Sequence, residues 1–350
     1  MNQNNQSLLL KQVYKQADDF FAAEPWDFFD ETDIFGVRSP ETGKEYFISI
    51  MGANDEVYSL AAYEGREALY KFWNIQMMGE VVPPSYLMSI PHLMISLEDS
   101  EFIDPENVKQ LKKLGVRPRD NMFPGISKMV PGRLPQGLND TELKDMFHIL
   151  KQALHVVEES RPLNKSNIHS DQDDDQDYLF RLVEGTDSKW VSKKITVPPP
   201  TLKSAFTFHD NVLEDFMKAP KYNGPVEIDL QLLPSPIKDE KTGVYFPALL
   251  LAVDPQEEII LFMETIQPLP DYKKMLSILP NVIMKKSVEI GKKIMNVQFR
   301  SFDLEGVFYF LGKKTGMEAQ LVDELEAVDS AFQFFHEQLF NEHPDPEDLS

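Results

Sequence analysis

Thr42-Gly43-Lys44-Glu45-Tyr46-Phe47 opens an apolar run that turns near Asn54-Asp55 and returns through residues 57–63. Two hundred residues later Thr242-Gly243-Val244-Tyr245-Phe246 opens another, which turns at Asp254-Pro255-Gln256-Glu257 and returns through residues 258–263. Apolar runs bounded by turn residues predict β-hairpins. A helix-like segment follows each copy. Self-similarity over that distance marks a tandem build, and it constrains the fold more than any single motif does.

Outward from the first copy, Leu8, Leu9, Val13, Tyr14, Ala17, Phe20 and Phe21 recur near a 3.6-residue period and predict a helix stopped by Pro25. Residues 33–37 predict a short strand closed by the turn Ser39-Pro40-Glu41-Thr42-Gly43. After the hairpin come a helix at 66–73, the Pro83-Pro84 breaker, a strand at 92–97, a helix at 105–114 stopped by Gly115, a strand at 122–129 and a proline-rich loop at 131–137. Asn139 with Glu142 three residues on predicts a capping box for a helix reaching Glu159. Its apolar stripe is Leu143, Met146, Phe147, Leu150, Leu154 and Val157.

Residues 161–177 are polar, acid-rich and aperiodic, and predict a flexible linker. Beyond it the pattern predicts a hairpin (178–183 and 189–197), a strand at 204–208 and a helix at 211–218. A strand at 226–233 and the repeated hairpin (245–253 and 258–264) come next. The rest alternates: helix 271–279, strand 281–285, helix 288–295, strand 297–302, helix 304–311 and a closing helix at 322–340. The expected organisation is an N-terminal module over 1–160, the linker over 161–177, and a C-terminal module with an initial hairpin over 178–345. Both halves read β-β-β-α-β-α-β-α, an α/β fold with mixed sheets. Tight turns make the three leading strands antiparallel, and intervening helices predict parallel crossovers for the later ones. The order resembles the ribonuclease-H-like topology. That resemblance implies a fold and carries no activity by itself.

The net charge of −22 is the strongest compositional signal. Residues 171–177 and the tail 342–350 contribute five and four acids, and the remainder is spread along the chain. An acidic body repels nucleic acid and anionic membrane, because phosphate binding needs clustered Lys and Arg. Solubility accounts for the charge in the ordinary case; attraction to a basic partner is the sharper alternative. No apolar run approaches the length of a bilayer span, and the N-terminal residues have no basic region preceding an apolar core. Cysteine is absent, which removes disulfides, thiolate metal sites and cysteine nucleophiles. A cytoplasmic protein is expected.

Ribonuclease-H-like nucleases hold two metal ions with acids on the first strand and near the end of the fourth. In the first half Asp33, Glu98 and Asp99 match those places, with Glu64 as a possible third group; Mg or Mn would be the cofactor. In the second half Asp229 and Glu264 match, but the predicted fourth strand ends in Met284-Lys285-Lys286, with no acid. Acids at strand ends ordinarily cap turns or face solvent, so no cofactor is the leading expectation. The seven histidines show no zinc spacing, and Walker, dinucleotide and serine-elbow glycine motifs are missing. Met77, Met78, Val82, Tyr86, Met88 and Met94 lie in an apolar, proline-broken stretch. Core filling is the ordinary role of such residues; an adaptable groove for a protein partner or for the other half is the alternative. The basic pairs Lys285-Lys286, Lys292-Lys293 and Lys313-Lys314 suit helix C-termini better than a nucleic-acid track.

Phe35-Gly36-Val37, Pro40-Glu41-Thr42-Gly43, Ile48–Gly52, Tyr58-Ser59-Leu60 and Tyr63-Glu64-Gly65 resemble the N-terminal module of an uncharacterised bacterial two-module family. Phe123-Pro124, Pro131-Gly132, Pro135, Leu138 and Glu142 are similar to the same module, except that Gln136 stands where an aromatic usually follows the proline. Tyr245-Phe246-Pro247, Val253-Asp254 and Pro280-Asn281-Val282-Ile283 resemble its second module. The resemblance implies two modules and supplies no activity. The leading expectation is a non-enzymatic binding or scaffold protein. A metal-dependent phosphodiesterase or nuclease using Asp33, Glu98 and Asp99 comes second, and an acidic decoy for a basic partner third.

Overall fold

The computed structural model describes residues 3–54, 57–78, 82–160, 168, 176–185, 189–200 and 206–341. The run Asp171–Asp175 and the tail 342–350, read above as linker and acidic end, lie outside the described residues. In chain order the first half holds α1 (Gln3–Ala22), β1 (Phe35–Arg38), β2 (Glu45–Met51), β3 (Ser59–Glu64), α2 (Gly65–Met77) and α3 (Pro84–Leu87). It continues with β4 (His92–Asp99), α4 (Pro105–Leu114), β5 (Met122–Met129), α5 (Asp140–Ser160), β6 (Asp177–Glu184) and β7 (Lys189–Thr196). The second half holds α6 (Asp210–Lys218), β8 (Val226–Leu232), β9 (Ile237–Asp239), β10 (Gly243–Tyr245), β11 (Ala248–Asp254) and β12 (Ile259–Ile266). It ends with α7 (Tyr272–Glu289), β13 (Asn296–Phe299), α8 (Phe302–Thr315), β14 (Glu318–Leu321) and α9 (Glu326–Asn341). The fold is α/β with mixed sheets in two compact units.

The first unit comprises residues 1–70, 90–130 and 135–200. Its seven-stranded sheet has the order β5-β4-β3-β2-β1-β6-β7. The core forms where α1 and α5 cover one face of this sheet, bringing Val13, Phe20 and Phe21 against Met146, Leu150 and Val157. Each such fully buried side chain is worth about 1.5–3 kcal/mol relative to exposure. The capping box is present: Asn139 Oδ1 accepts from the amides of Thr141 and Glu142, and Glu142 Oε2 accepts from the amide of Asn139 at 2.8 Å. Gly115 closes α4 with φ of +87°, a left-handed conformation that suits glycine.

Two expectations fail in this unit. The later strands are antiparallel, since β4 pairs antiparallel with both β3 and β5. The long connection from Glu64 to His92 is the reason: part of it, residues 71–89, groups with the second unit, so it is no simple crossover over its own sheet. The hairpin expected to open the second module instead extends the first sheet. β6 pairs parallel with β1 through Gly36↔Phe180 and Val37↔Arg181, which fills the edge of β1 that β2 leaves open. Residues 178–200 therefore belong to the first unit. Gly36 permits the pairing, because a Cβ there would fall within the Phe180 ring.

The second unit comprises residues 71–89, 131–134 and 201–350. Its five-stranded sheet has the order β12-β11-β8-β13-β14, with β8, β11 and β12 antiparallel in turn and β13 and β14 parallel to β8. Core residues of α7 and α8 (Met275, Leu279, Ile283, Leu304, Val307 and Phe308) pack with alternate residues of β8 and β11, and Leu325 and Val328 meet the intervening Leu251 and Val253. The element string is the expected one, but two members differ. Residues 281–285 are helix within α7, not a strand. Pro280 costs one backbone hydrogen bond, and the buried Asn281 ties the kinked turn down by accepting from the amide of His209 at 2.8 Å and donating to the Thr207 carbonyl. The fourth strand is β13, and the fifth is β14, in the stretch between 311 and 322 where no element was expected.

Candidate functional site

The acids proposed for metal binding are not brought together. Asp33 precedes β1, whereas Glu98 and Asp99 end β4, three strands away in the sheet, about 14 Å at the usual strand spacing. Each has a local role. Asp33 accepts from the Asp30 amide at 2.8 Å, Glu98 from the Ser96 hydroxyl at 3.0 Å, and Asp99 from the Glu101 amide and the Asn121 side chain. Among the described residues no three His, Asp or Glu side chains are grouped to hold a metal ion. The methionine stretch is also divided. Met94 lies on β4 of the first unit, while Met77, Met78, Val82, Tyr86 and Met88 lie in the second. Met78 and Tyr86 are buried, Met88 packs against the core, and Met77 is exposed.

Tyr86 leads to a buried charge cluster at the end of β13, where Arg300 emerges. Arg300 is 1% exposed and Asp229, on the central strand β8, is 0% exposed. Arg300 Nη2 donates to Asp229 Oδ2 at 3.0 Å, and both Nη atoms donate to the Asp329 carboxylate at 2.8 and 2.7 Å. The Tyr86 hydroxyl donates to Asp229 Oδ1 at 2.6 Å, while the Leu230 amide and Gln231 Nε2 fill the remaining lone pairs. Burial and the Asp229 charge raise Tyr86 well above the ordinary phenol range, so it remains a donor. Arg300 is raised despite its burial, because its hydrogen bonds to Asp329 and the nearby Asp229 charge hold the proton. Every strong group is satisfied within the fold. The misread fourth strand hid this: its true end carries a cation where Lys285-Lys286 had been expected. Lys286 instead pairs with Glu264 at 2.7 Å and with Glu289.

A second buried carboxylate anchors the first TG turn. Asp145 on α5 accepts from the hydroxyls of Ser39, Thr42 and Tyr46, the last at 2.8 Å. Ser39 in turn accepts from the amides of Glu41 and Thr42. Thr242-Gly243 repeats the local geometry, with Asp239 accepting from the amides of Lys241 and Thr242. Glycine is needed in both, since φ is +71° at Gly43 and +78° at Gly243.

The exception to this self-sufficiency is a cleft of about 310 Å³ on the first unit. The face of α1 that carries Lys11, Tyr14, Lys15 and Asp18 forms one wall. Arg117 and Arg119, on the loop after Gly115, form the other, above a floor that includes Leu97, Leu114 and Pro124. Among the described residues none of the four cations has a carboxylate within 4.0 Å. Four cations and one carboxylate leave a formal +3 in a chain of net charge −22. Burial, and after it the Glu98 charge, push the Tyr14 hydroxyl up to about 12, which keeps it a donor. The volume is within the range of small-ligand sites. Sequence reading missed this site. Lys11 and Lys15 are visibly one turn apart, but only the fold adds Arg117 and Arg119.

Among the described residues no helix is long and apolar enough to cross a membrane. Residues 11–181 match the family described as Domain of unknown function (DUF7309), and residues 212–336 match Domain of unknown function (DUF6930). The first match reaches into β6, in agreement with the placement of that strand in the first sheet. No curated protein matches the chain closely enough to count as a relative. The chain thus belongs to a two-module family in which a DUF7309 domain precedes a DUF6930 domain.

Proposed function

We propose that the protein is a non-enzymatic binding protein and that its ligand presents a compact negative charge to the cleft beside α1. The observation that carries this reading is the set of four cations lining one cavity of an acidic chain, none of them within 4.0 Å of a carboxylate among the described residues. Salt screens exposed charges beyond roughly 8 Å at physiological ionic strength, so a small anion in the cleft responds to the local +3. A long polyanion such as duplex nucleic acid would extend over acidic surface and be repelled.

The second unit supports the same reading. Three antiparallel strands followed by two parallel ones fit the ribonuclease-H-like resemblance. Where that topology puts its second metal-binding acid, this chain has Arg300, already bonded to the Asp229 of the first strand. A guanidinium fixed there takes the place that metal-dependent cleavage of a phosphodiester would need.

Isothermal titration of the full chain with pyrophosphate and with a triglutamate peptide tests the proposal. Binding by at least one, weakened by salt and by the Lys15→Glu/Arg117→Glu pair, is the expected result. Failure of both anions, or binding unchanged in that variant, removes the cleft from consideration.

A further inference from the structure

The cationic cleft has a neighbour along α1. A second cavity of about 500 Å³ is lined by Gln6, Ser7 and Leu10 of α1, by Lys113 and Leu114 of α4, and by Ile126, Leu138 and Leu143. Both cavities are lined by Tyr14 and Leu114, so they are adjacent there. Along α1 the two cavities together run from Gln6 to Asp18, thirteen residues and about 18 Å of helix. The two ends differ in chemistry. Leu10, Ile126 and Leu138 are partly exposed in the first stretch, where Lys113 is the one lining cation, and four cations crowd the second.

We infer that the occupant is a short extended peptide, apolar over one half and acidic over the other. The inference rests on the anion-binding reading of the cleft and narrows it to a class of partner. Charge complementarity fixes the acidic half: among the described residues Lys11, Lys15, Arg117 and Arg119 have no carboxylate within 4.0 Å, Asp18 is the one carboxylate in the lining, and a peptide carboxylate would add a partner. Length fixes the form, since about 18 Å corresponds to five or six residues of extended chain. The Tyr14 hydroxyl, a donor at the junction, is placed to receive a backbone carbonyl between the halves. The apolar half covers aliphatic surface that α1, α4 and β5 leave uncovered. A free anion would leave that end of the groove empty, and a fatty acid would leave most of the cations unpaired.

The test uses the full chain and three fluorescein-labelled hexapeptides: Leu-Leu-Val-Glu-Asp-Glu, its acidic half lengthened to six acids, and Leu-Leu-Val-Ser-Gly-Ser. Fluorescence anisotropy should show the first binding about tenfold more tightly than either of the others, because each half adds about 1.4 kcal/mol. Leu138→Ser should remove the advantage of the first peptide over the all-acid one. Lys15→Glu/Arg117→Glu should remove its advantage over the uncharged one. Far-ultraviolet circular dichroism of each variant confirms folding, and Leu10→Gln repeats the apolar test from α1. Equal binding of the mixed and all-acid peptides would overturn the peptide inference and leave the anion site standing. Tighter binding of decanoate than of the mixed peptide would also overturn it, and no binding of any acidic probe would overturn both.

Discussion

Arg300 in the second unit and the cations of the cleft in the first are the same kind of group put to opposite use. Arg300 is buried with its donors directed at two carboxylates and a phenol oxygen. Lys11, Lys15, Arg117 and Arg119 line an open cavity, and among the described residues no carboxylate lies within 4.0 Å of them. A buried charge must be fully partnered, because desolvation costs several kcal/mol per ion. An exposed one costs little to leave alone. The difference separates charge that holds the fold together from charge available to a ligand, and it can be tested from both sides.

The largest effect is expected at Arg300. Arg300→Met leaves Asp229 buried and without its cation, which should cost about 3–5 kcal/mol in urea unfolding. Pairing it with Asp229→Leu should recover most of the loss, as an apolar pair of similar volume needs no desolvation. If Arg300→Met unfolds at the wild-type midpoint, the cluster is not what holds β8 and β13 together.

Next in size is the first unit's buried carboxylate. Among the described residues Asp145 receives three hydroxyls and no cation, so Asp145→Ala strands those donors beneath the TG turn. A loss of about 1–3 kcal/mol is expected, the range for orphaned buried polar groups. Tyr46→Phe should cost less than Asp145→Ala, because it removes one donor and keeps the other two. A Tyr46→Phe loss equal to that of Asp145→Ala would mean the aspartate serves the tyrosine alone.

These examples show what the sequence could display. The capping box of α5 and the glycine stop of α4 were legible because their partners lie within five residues. The Tyr86–Asp229–Arg300–Asp329 cluster was not, because Tyr86 and Asp229 are 143 positions apart and Asp229 and Arg300 are 71 apart. The helix was expected to end at Leu279 because nothing near Pro280 in sequence announces that Asn281 is tied to Thr207 and His209. β14 was missed because all four of its residues are exposed and show no alternation. The TG repeat was legible as the opening of a hairpin in each unit, and β2 with β3 and β11 with β12 are those antiparallel hairpins; the strands that each TG turn itself joins differ. The first copy joins two strands of the seven-stranded sheet, and the second joins β9 and β10, a separate two-stranded ribbon.

A smaller effect should appear with acid. His92 and His148, both in the first unit, are lowered by burial. His148 also has a buried Nδ1 with no hydrogen-bond partner. A depressed histidine favours the folded state while neutral. Its contribution is complete above the ordinary value of 6.5 and is lost as pH falls below it through the folded-state value. The thermal midpoint should therefore decline from pH 7 to pH 5.5, and His148→Phe should make that decline shallower. A variant with an unchanged slope would clear His148 of any part in the acid sensitivity.

The smallest stability effect is expected at the cleft, and it is the most informative. Lys15→Ala and Arg117→Ala remove charges with no partner inside the fold, so each should shift unfolding by less than about 0.5 kcal/mol. Relief of repulsion among four cations makes a slight gain in stability the expected direction for both together. The same substitutions should weaken anion binding and flatten its dependence on salt, because the lost charges supplied the screened attraction. A stability loss as large as that of Asp145→Ala would show that Lys15 and Arg117 work for the fold after all. Their contrast with Arg300 would then be one of exposure alone. An unchanged or higher midpoint combined with weaker binding keeps the two kinds of cation apart, and it places the protein's function on the charge that its own fold leaves unpaired.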